Sequence, residues 1–303
     1  MSDWRLTTPV AFIIFNRPET TAQVFAQISR ARPPKLLLVA DGAMSGDAVQ
    51  TERCAQARAI VSHVDWPCEV MDNFSESNLG CRRRVSSGLD WVFDQVPEAI
   101  ILEDDCVPHP TFFRFCEDRL TRYRDDRRIG MISGDNFQFG RRIGQGSYYF
   151  SKYAHCWGWA SWRRAWQYFD VNARLWPEFL ASGDFERIVL PCERLMWRSV
   201  LDGVHRGLVN AWDYQWTLAC WCHSMLAVMP QVNLVSNIGF GPRATNTRGS
   251  SIYANLQCEA MQWPLVEPNI MAASANADGF TAKSMFGTSM RTRVARRLKR
   301  AVV

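Results

Sequence analysis

No apolar run in this chain approaches the 18 residues needed to cross a bilayer, so no transmembrane helix is predicted. Met1 to Thr8 lacks a basic stretch followed by an apolar one, and no signal peptide is apparent. Ten cysteines are present, yet none falls in a Cys-x-x-Cys or His-x-x-x-His spacing. Cys220-Trp221-Cys222-His223 is too tight for a metal knuckle and reads as part of a helix. Without an export signal the thiols read as reduced, several of them core residues, and cytoplasmic residence is the default expectation. Glycine is missing where a triphosphate-gripping loop needs it, because the first strand candidate runs straight into Asn16-Arg17-Pro18. Acid is missing from Arg291–Val303, which holds six of the 35 bases (Arg291, Arg293, Arg296, Arg297, Lys299, Arg300). The net charge of +5 therefore belongs to the tail. The nearly neutral body is not a nucleic-acid binder by charge.

What is present alternates regularly. Pro9–Phe15 and Lys35–Ala40 are buried-strand candidates, and Thr21, Val24, Phe25 and Ile28 fall at helical spacing between them after Pro18-Glu19. A helix near Glu52–His63 and a strand over Cys68–Met71 follow. Next comes Asn78-Leu79-Gly80, which opens a helix striped by Val85, Leu89, Val92, Phe93 and Val96. The strand Ala99–Leu102 ends in Glu103-Asp104-Asp105, and a helix with Phe112, Phe113, Cys116, Leu120 and Tyr123 leads to a strand over Arg128–Ser133. This β-α-β alternation predicts an α/β protein with a mostly parallel sheet flanked by helices. The alternation is regular over the first half, 9–136.

Beyond 136 the composition shifts to aromatics, from Tyr148 to Trp176, which mostly read as core. Trp157-Gly158-Trp159 is a poor helix and a poor strand, so Trp157 to Ala160 is the exception expected to meet a ligand. A helix is predicted over Phe185–His205, and short strands over Leu226–Pro230 and Val232–Val235. Asp213, between Trp212 and Tyr214, reads either as the N-cap of a helix or as a partly desolvated general base. This aromatic-rich second half is taken as 137–266, followed by a weakly periodic stretch at 267–290 that is ordered by docking or not at all. The tail has Val294, Leu298, Ala301 and Val302 at helical spacing among its bases. That pattern suits either an anionic membrane surface or a solvated end.

Three adjacent carboxylates after a buried strand are either a solvated strand end or a site for a hard cation carrying phosphates. Four ordered blocks weigh on this choice: Phe15-Asn16-Arg17-Pro18, Asp41-Gly42, Glu103-Asp104-Asp105 and Trp212-Asp213. With Asn78-Leu79-Gly80 and Trp157-Gly158-Trp159, they resemble the GT-A glycosyltransferases of the family-2-like group and the N-acetylglucosaminyltransferase I type, over roughly residues 9–250. The resemblance implies a GT-A (Rossmann-like) fold and inverting transfer from a nucleotide-sugar donor to a glycan or lipid-linked acceptor. It places Phe15, Asn16, Arg17, Asp41, Asn78, Gly80 and Asp104 around the nucleotide and Asp105 on a divalent cation, Mn²⁺ or Mg²⁺. Glu103 and Asp104 would hold ribose or metal waters, and Trp157, Gly158, Trp159 and Trp212 would wall the sugar. Asp213 would be the base. Where relatives carry a late-loop His this chain has Asn246, a poor metal ligand. A sugar-phosphate nucleotidyltransferase shares the sheet but wants the missing glycine loop, and a non-catalytic carbohydrate binder leaves the acids unexplained.

Overall fold

The computed structural model describes residues 4–241 and 251–287. Val10–Ile14 (β1) is wholly buried and leads to Pro18–Ala31 (α1). That helix begins on a proline and buries Thr21, Val24, Phe25 and Ile28, the stripe predicted from spacing. Lys35–Ala40 (β2) precedes Ala48–Val61 (α2), which starts earlier than expected because the Asp47 side chain accepts the Gln50 N–H at 2.9 Å. Glu69–Phe74 (β3) forms the exposed edge. Gly80–Gln95 (α3), Glu98–Glu103 (β4), Cys106–Pro108 (β5), Pro110–Tyr123 (α4) and Ile129–Ser133 (β6) complete the first half.

The second half contains Tyr148–Ser151 (β7), Trp159–Trp162 (β8) and Arg163–Trp166 (α5). Trp176–Ala181 (α6), Asp184–Ile188 (α7), Arg194–His205 (α8) and Asp213–Cys222 (α9) follow. Leu226–Pro230 (β9), Val235–Asn237 (β10) and Ala275–Thr281 (α10), with a π-helical turn at Ala282–Phe286, end the described chain.

One eight-stranded sheet, ordered β3-β2-β1-β4-β8-β6-β9-β7, runs through both halves. The neighbours β3-β2-β1-β4 are mutually parallel, as are β6 and β9; β8 and β7 run against their neighbours. The chain moves outward from β1 through β2 to β3, then returns to place β4 on the other side of β1. The C-terminal ends of β1 and β4 therefore flank the crevice where α/β sheets bind ligands. Arg84 ties this end together from beneath: its Nε donates to the Ala40 carbonyl at 3.0 Å and its Nη2 to Asn73 Oδ1 at 2.8 Å.

Several expectations are corrected. Trp157-Gly158-Trp159 is the entry to an interior strand, because β8 inserts antiparallel between β4 and β6 and so buries Trp159 on both sides. The helix expected over 185–205 is two helices, α7 and α8, with Pro191 between them. The short strand after β9 is Val235–Asn237, fixed by antiparallel pairing with β5. Within 267–290 there is a docked helix, α10. Asp278 accepts the Ser151 hydroxyl at 2.6 Å and the Lys152 N–H at 3.2 Å, and Ala277 and Ala282 are buried. Asn246 and the tail Arg291–Val303 lie outside the described residues.

Burial pushes the Asp278 carboxyl up to about 6, against the pull of its Ser151 and Lys152 bonds. A folded value above the unfolded one, about 4, means stability falls as pH rises through that interval. Asp278→Asn is expected to flatten that arm of a stability-pH profile. Asp278→Ala should cost roughly 1–3 kcal/mol, and hydrogen exchange should report the loss as faster opening of 275–281 with β1–β4 unchanged.

Candidate active site

The acidic triplet stands at the C-terminal end of β4, and the turn after β1 is pinned to it. The Phe15 N–H donates to Asp104 Oδ2 at 3.1 Å. Arg17 spans two carboxylates, its Nη2 donating to Asp104 Oδ1 at 2.5 Å and its Nη1 to Asp105 Oδ2 at 2.8 Å. Burial disfavours the guanidinium charge, yet Asp104, Asp105 and Glu103 more than offset this and hold Arg17 above its ordinary range. Burial, followed by the adjoining Asp105 and Asp104 charges, pushes Glu103 upward. Asp104 is also raised by burial, with Arg17 pulling the other way.

The second half brings Asp213 to the same end. It is the first residue of α9, and its charge is felt by Glu103 and by the Cys156 thiol. The carboxyl is raised by burial and partly restored by the backbone N–H groups of Asp213 and Tyr214. No side-chain cap bond is made to a later turn, so the N-cap reading is replaced by a first-turn acid at the positive end of the helix. Its approach segment is fastened to α3, where Asn210 Oδ1 accepts the Arg82 N–H at 3.0 Å.

From the other side comes Gly239. Its neighbour Ile238 donates its N–H to the Asp105 carbonyl at 2.8 Å, and a Cβ on Gly239 would stand 1.9 Å from Asp105 Oδ2. Only glycine permits that approach. Sequence reasoning singled out the glycine-punctuated loop from Asn237 as suited to closing over a ligand, but not Gly239 by itself. It also passed over Asp135, a fully buried acid directly after β6. Asp135 Oδ2 accepts the Trp157 N–H at 3.0 Å, while its Oδ1 has no partner among the described residues. The available signal was the one used for the triplet, an acid immediately after a buried strand.

Accessibility sorts the acids. Asp41, Asp104 and Asp135 are buried, whereas Glu103, Asp105 and Asp213 keep partial access. A hard cation is matched by oxygen donors of this kind. Among the described residues Asp105 Oδ1 accepts from the Cys106 thiol at 3.4 Å, and Glu103 stands two residues away. Among the described residues no group of three or more His, Cys, Asp or Glu side chains could hold a metal alone. A divalent cation held at Asp105 would therefore need its remaining ligands from phosphate oxygens and water.

No protein-family profile and no curated protein matches this chain. Solved structures match weakly. A UDP-glucose pyrophosphorylase bound to UDP-glucose aligns at 8% identity and TM-score 0.29, over 50% of this chain and 64% of its own. A cytidylyltransferase from Leptospira borgpetersenii serovar Hardjo-bovis aligns at 10% identity and TM-score 0.31, over 67% of this chain and 74% of its own. Mouse xyloside xylosyltransferase 1 aligns at 11% identity and TM-score 0.35, over 73% and 84%. Scores this low carry no argument about chemistry, which rests on the residues themselves.

Some residues expected at the nucleotide have other work. Asp41 Oδ1 accepts the Gly42 and Leu79 N–H groups, both at 2.9 Å, and Oδ2 accepts the Gly80 N–H at 3.0 Å and Asn78 Nδ2 at 3.3 Å. Those contacts use a carboxylate's full capacity, so Asp41 anchors the start of α3 and is not free to accept from a base. Asn78 serves the same anchor, its Nδ2 also reaching the Gly42 carbonyl at 2.9 Å. Gly80, at φ +76, makes the turn.

Phe15, Asn16 and Arg17 remain half-buried at the cleft. Of the expected sugar wall, Trp159 is 0% exposed and stacks on Trp212 at 5.7 Å within a cluster with Trp166 and Trp216. Both are core. Gly158 is buried at φ +75, and a Cβ there would stand 2.7 Å from Val235. Trp157 alone keeps surface, edge-on to Phe240 at 5.5 Å.

Asp41→Ala is expected to cost about 2–3 kcal/mol in chemical denaturation, since it strands the N–H donors at the start of α3. An unchanged midpoint would return Asp41 to the role of a free ligand contact.

Proposed function

We propose that this chain is an inverting GT-A-type glycosyltransferase that moves a sugar from a nucleotide-sugar donor to a hydroxyl of a glycan or lipid-linked acceptor. One observation carries the reading. Three carboxylates of partial access, Glu103, Asp105 and Asp213, converge from two halves of the chain at the crevice between β1 and β4, where such sheets bind ligands. A carbohydrate-binding module has no need of a raised carboxylate at a helix start. A nucleotidyltransferase would use the turn after β1 to cradle a triphosphate, whereas here Arg17 of that turn is committed to Asp104 and Asp105.

In this reading Asp105, with Glu103 beside it, would hold a divalent cation, which would supply Lewis-acid neutralisation of charge on the departing nucleoside diphosphate. Arg17 shares that duty and keeps the two aspartates from repelling one another. Asp213 accepts the proton of the acceptor hydroxyl as its oxygen bonds to the anomeric carbon and the bond to phosphate breaks, with inversion. Burial raises its affinity for a proton, the direction a general base requires. Trp157 offers the face nearest the sugar, and the body works in the cytoplasm or at the inner face of the membrane.

Asp213→Asn should abolish transfer while UDP-, GDP- or CMP-sugar binding survives. Asp105→Ala should remove Mn²⁺-dependent thermal stabilisation by those nucleotides. Equal loss of binding in both variants would make Asp213 structural. The absence of any metal-dependent shift in the native protein would overturn the transferase reading.

A further inference from the structure

The loop after β6 presents an exposed aromatic flanked by bases. Gln138 to Arg141 form a tight turn in which the Arg141 N–H donates to the Gln138 carbonyl at 3.1 Å, with Phe139 at φ +50 and Gly140 at φ +81. Phe139 thus lies in the left-handed region that side chains rarely adopt, and its ring is 44% exposed. Arg141 and Arg142 follow, both exposed, and neither forms an ion pair among the described residues. Arg141 lies over the Phe280 ring at 4.6 Å, Phe139 meets Phe280 at 6.3 Å and Tyr253 at 5.5 Å, and beside Tyr253 stands Ile252, 67% exposed.

The exposed charge on the two segments that form this region is positive, the neighbouring Asp278 being buried. The sequence has no Asp or Glu from Asn136 to Phe169 and none after Asp278. The two segments meet at this surface, where Gln138 Nε2 donates to Thr281 Oγ1 at 3.1 Å. The chain beyond 287, outside the described residues, carries the six tail bases and no acid. Protruding apolar side chains among unpaired arginines match the boundary of an anionic bilayer, where rings enter the headgroup layer and guanidinium groups meet phosphates.

We propose that the folded surface formed by Phe139, Arg141, Arg142, Ile252 and Phe280 docks on anionic phospholipid, independently of the tail. Its rings continue inward. Phe137 meets Tyr253 and Trp157, each at 5.2 Å, and Trp157 meets Phe240, the neighbour of the glycine that abuts Asp105. A docked molecule thus presents its acidic cleft at the end of an aromatic path from the membrane, which favours a lipid-linked acceptor. That consequence rests on the transferase reading; the docking surface does not.

Sedimentation of the full-length chain with phosphatidylcholine vesicles, with and without phosphatidylglycerol, tests it. Binding is expected only with the anionic lipid and should weaken with salt. Arg141→Gln with Arg142→Gln should lower the partition coefficient about 30-fold with the tail intact, and Phe139→Ser should weaken it with the melting temperature unchanged. A double variant that binds as the native chain does would overturn the proposal. So would a native chain that ignores the vesicles, or one that dimerises through this surface and is split by the double substitution. Nucleoside-diphosphate binding, measured in parallel, reports the cleft separately.

Discussion

The bridge from Arg17 to Asp104 and Asp105 is the interaction on which the site depends. It crosses between the turn after β1 and the end of β4, the two strands that border the crevice. Two adjacent aspartates beside Glu103 and near Asp213 would otherwise concentrate negative charge where little water remains to screen it. Removing one partner of such a pair typically costs about 3–5 kcal/mol, because a charge is then left buried alone. Asp104 takes the buried share of the bridge and Asp105 the share that faces the cleft, with side-chain exposures of 3% and 14%. One arginine thereby makes the acidic strand end compatible with folding and leaves part of it available for ligand.

The remaining acids divide in the same way. Asp41 is consumed in starting α3, and Asp135 holds the turn that aims Trp157. Asp213 is delivered by a segment fastened to α3 through Asn210, so the anchor at Asp41 also reaches Asp213 through one helix start. Acids with the same chemical formula serve as struts or as reactive groups according to how many donors the backbone has turned toward them.

Aromatics show a parallel division. Trp159, Trp166, Trp212 and Trp216 form a packed block behind the cleft, which gives α9 a rigid seat and fixes the position of Asp213. Trp157, two residues from Trp159, stands on the other side of a glycine turn and keeps surface. The path from Trp157 through Phe137 and Tyr253 to Phe139 then links the cleft to the basic outer loop.

Much of the first half was legible in the sequence. Buried parallel strands are continuous apolar runs, and Pro18, Asp41-Gly42 and Pro97 mark where elements begin and end, so β1, α1, β2, β4 and the acidic triplet were placed from local pattern alone. The placement of Asp213 near that triplet was reached through ordered blocks, and the structure brings the two together. What stayed illegible depended on partners distant in the chain. β8 has no strand signature of its own and exists because β4 and β6 leave a gap between them. Trp159 and Trp212 are core because that strand carries one against the other. Asp41 is an anchor because N–H groups from residues 79 and 80 turn back to it. Residue type and spacing determined which groups were available for chemistry. Only the tertiary structure decided which remained free to perform it, since burial and hydrogen-bond saturation are properties of the assembled neighbourhood.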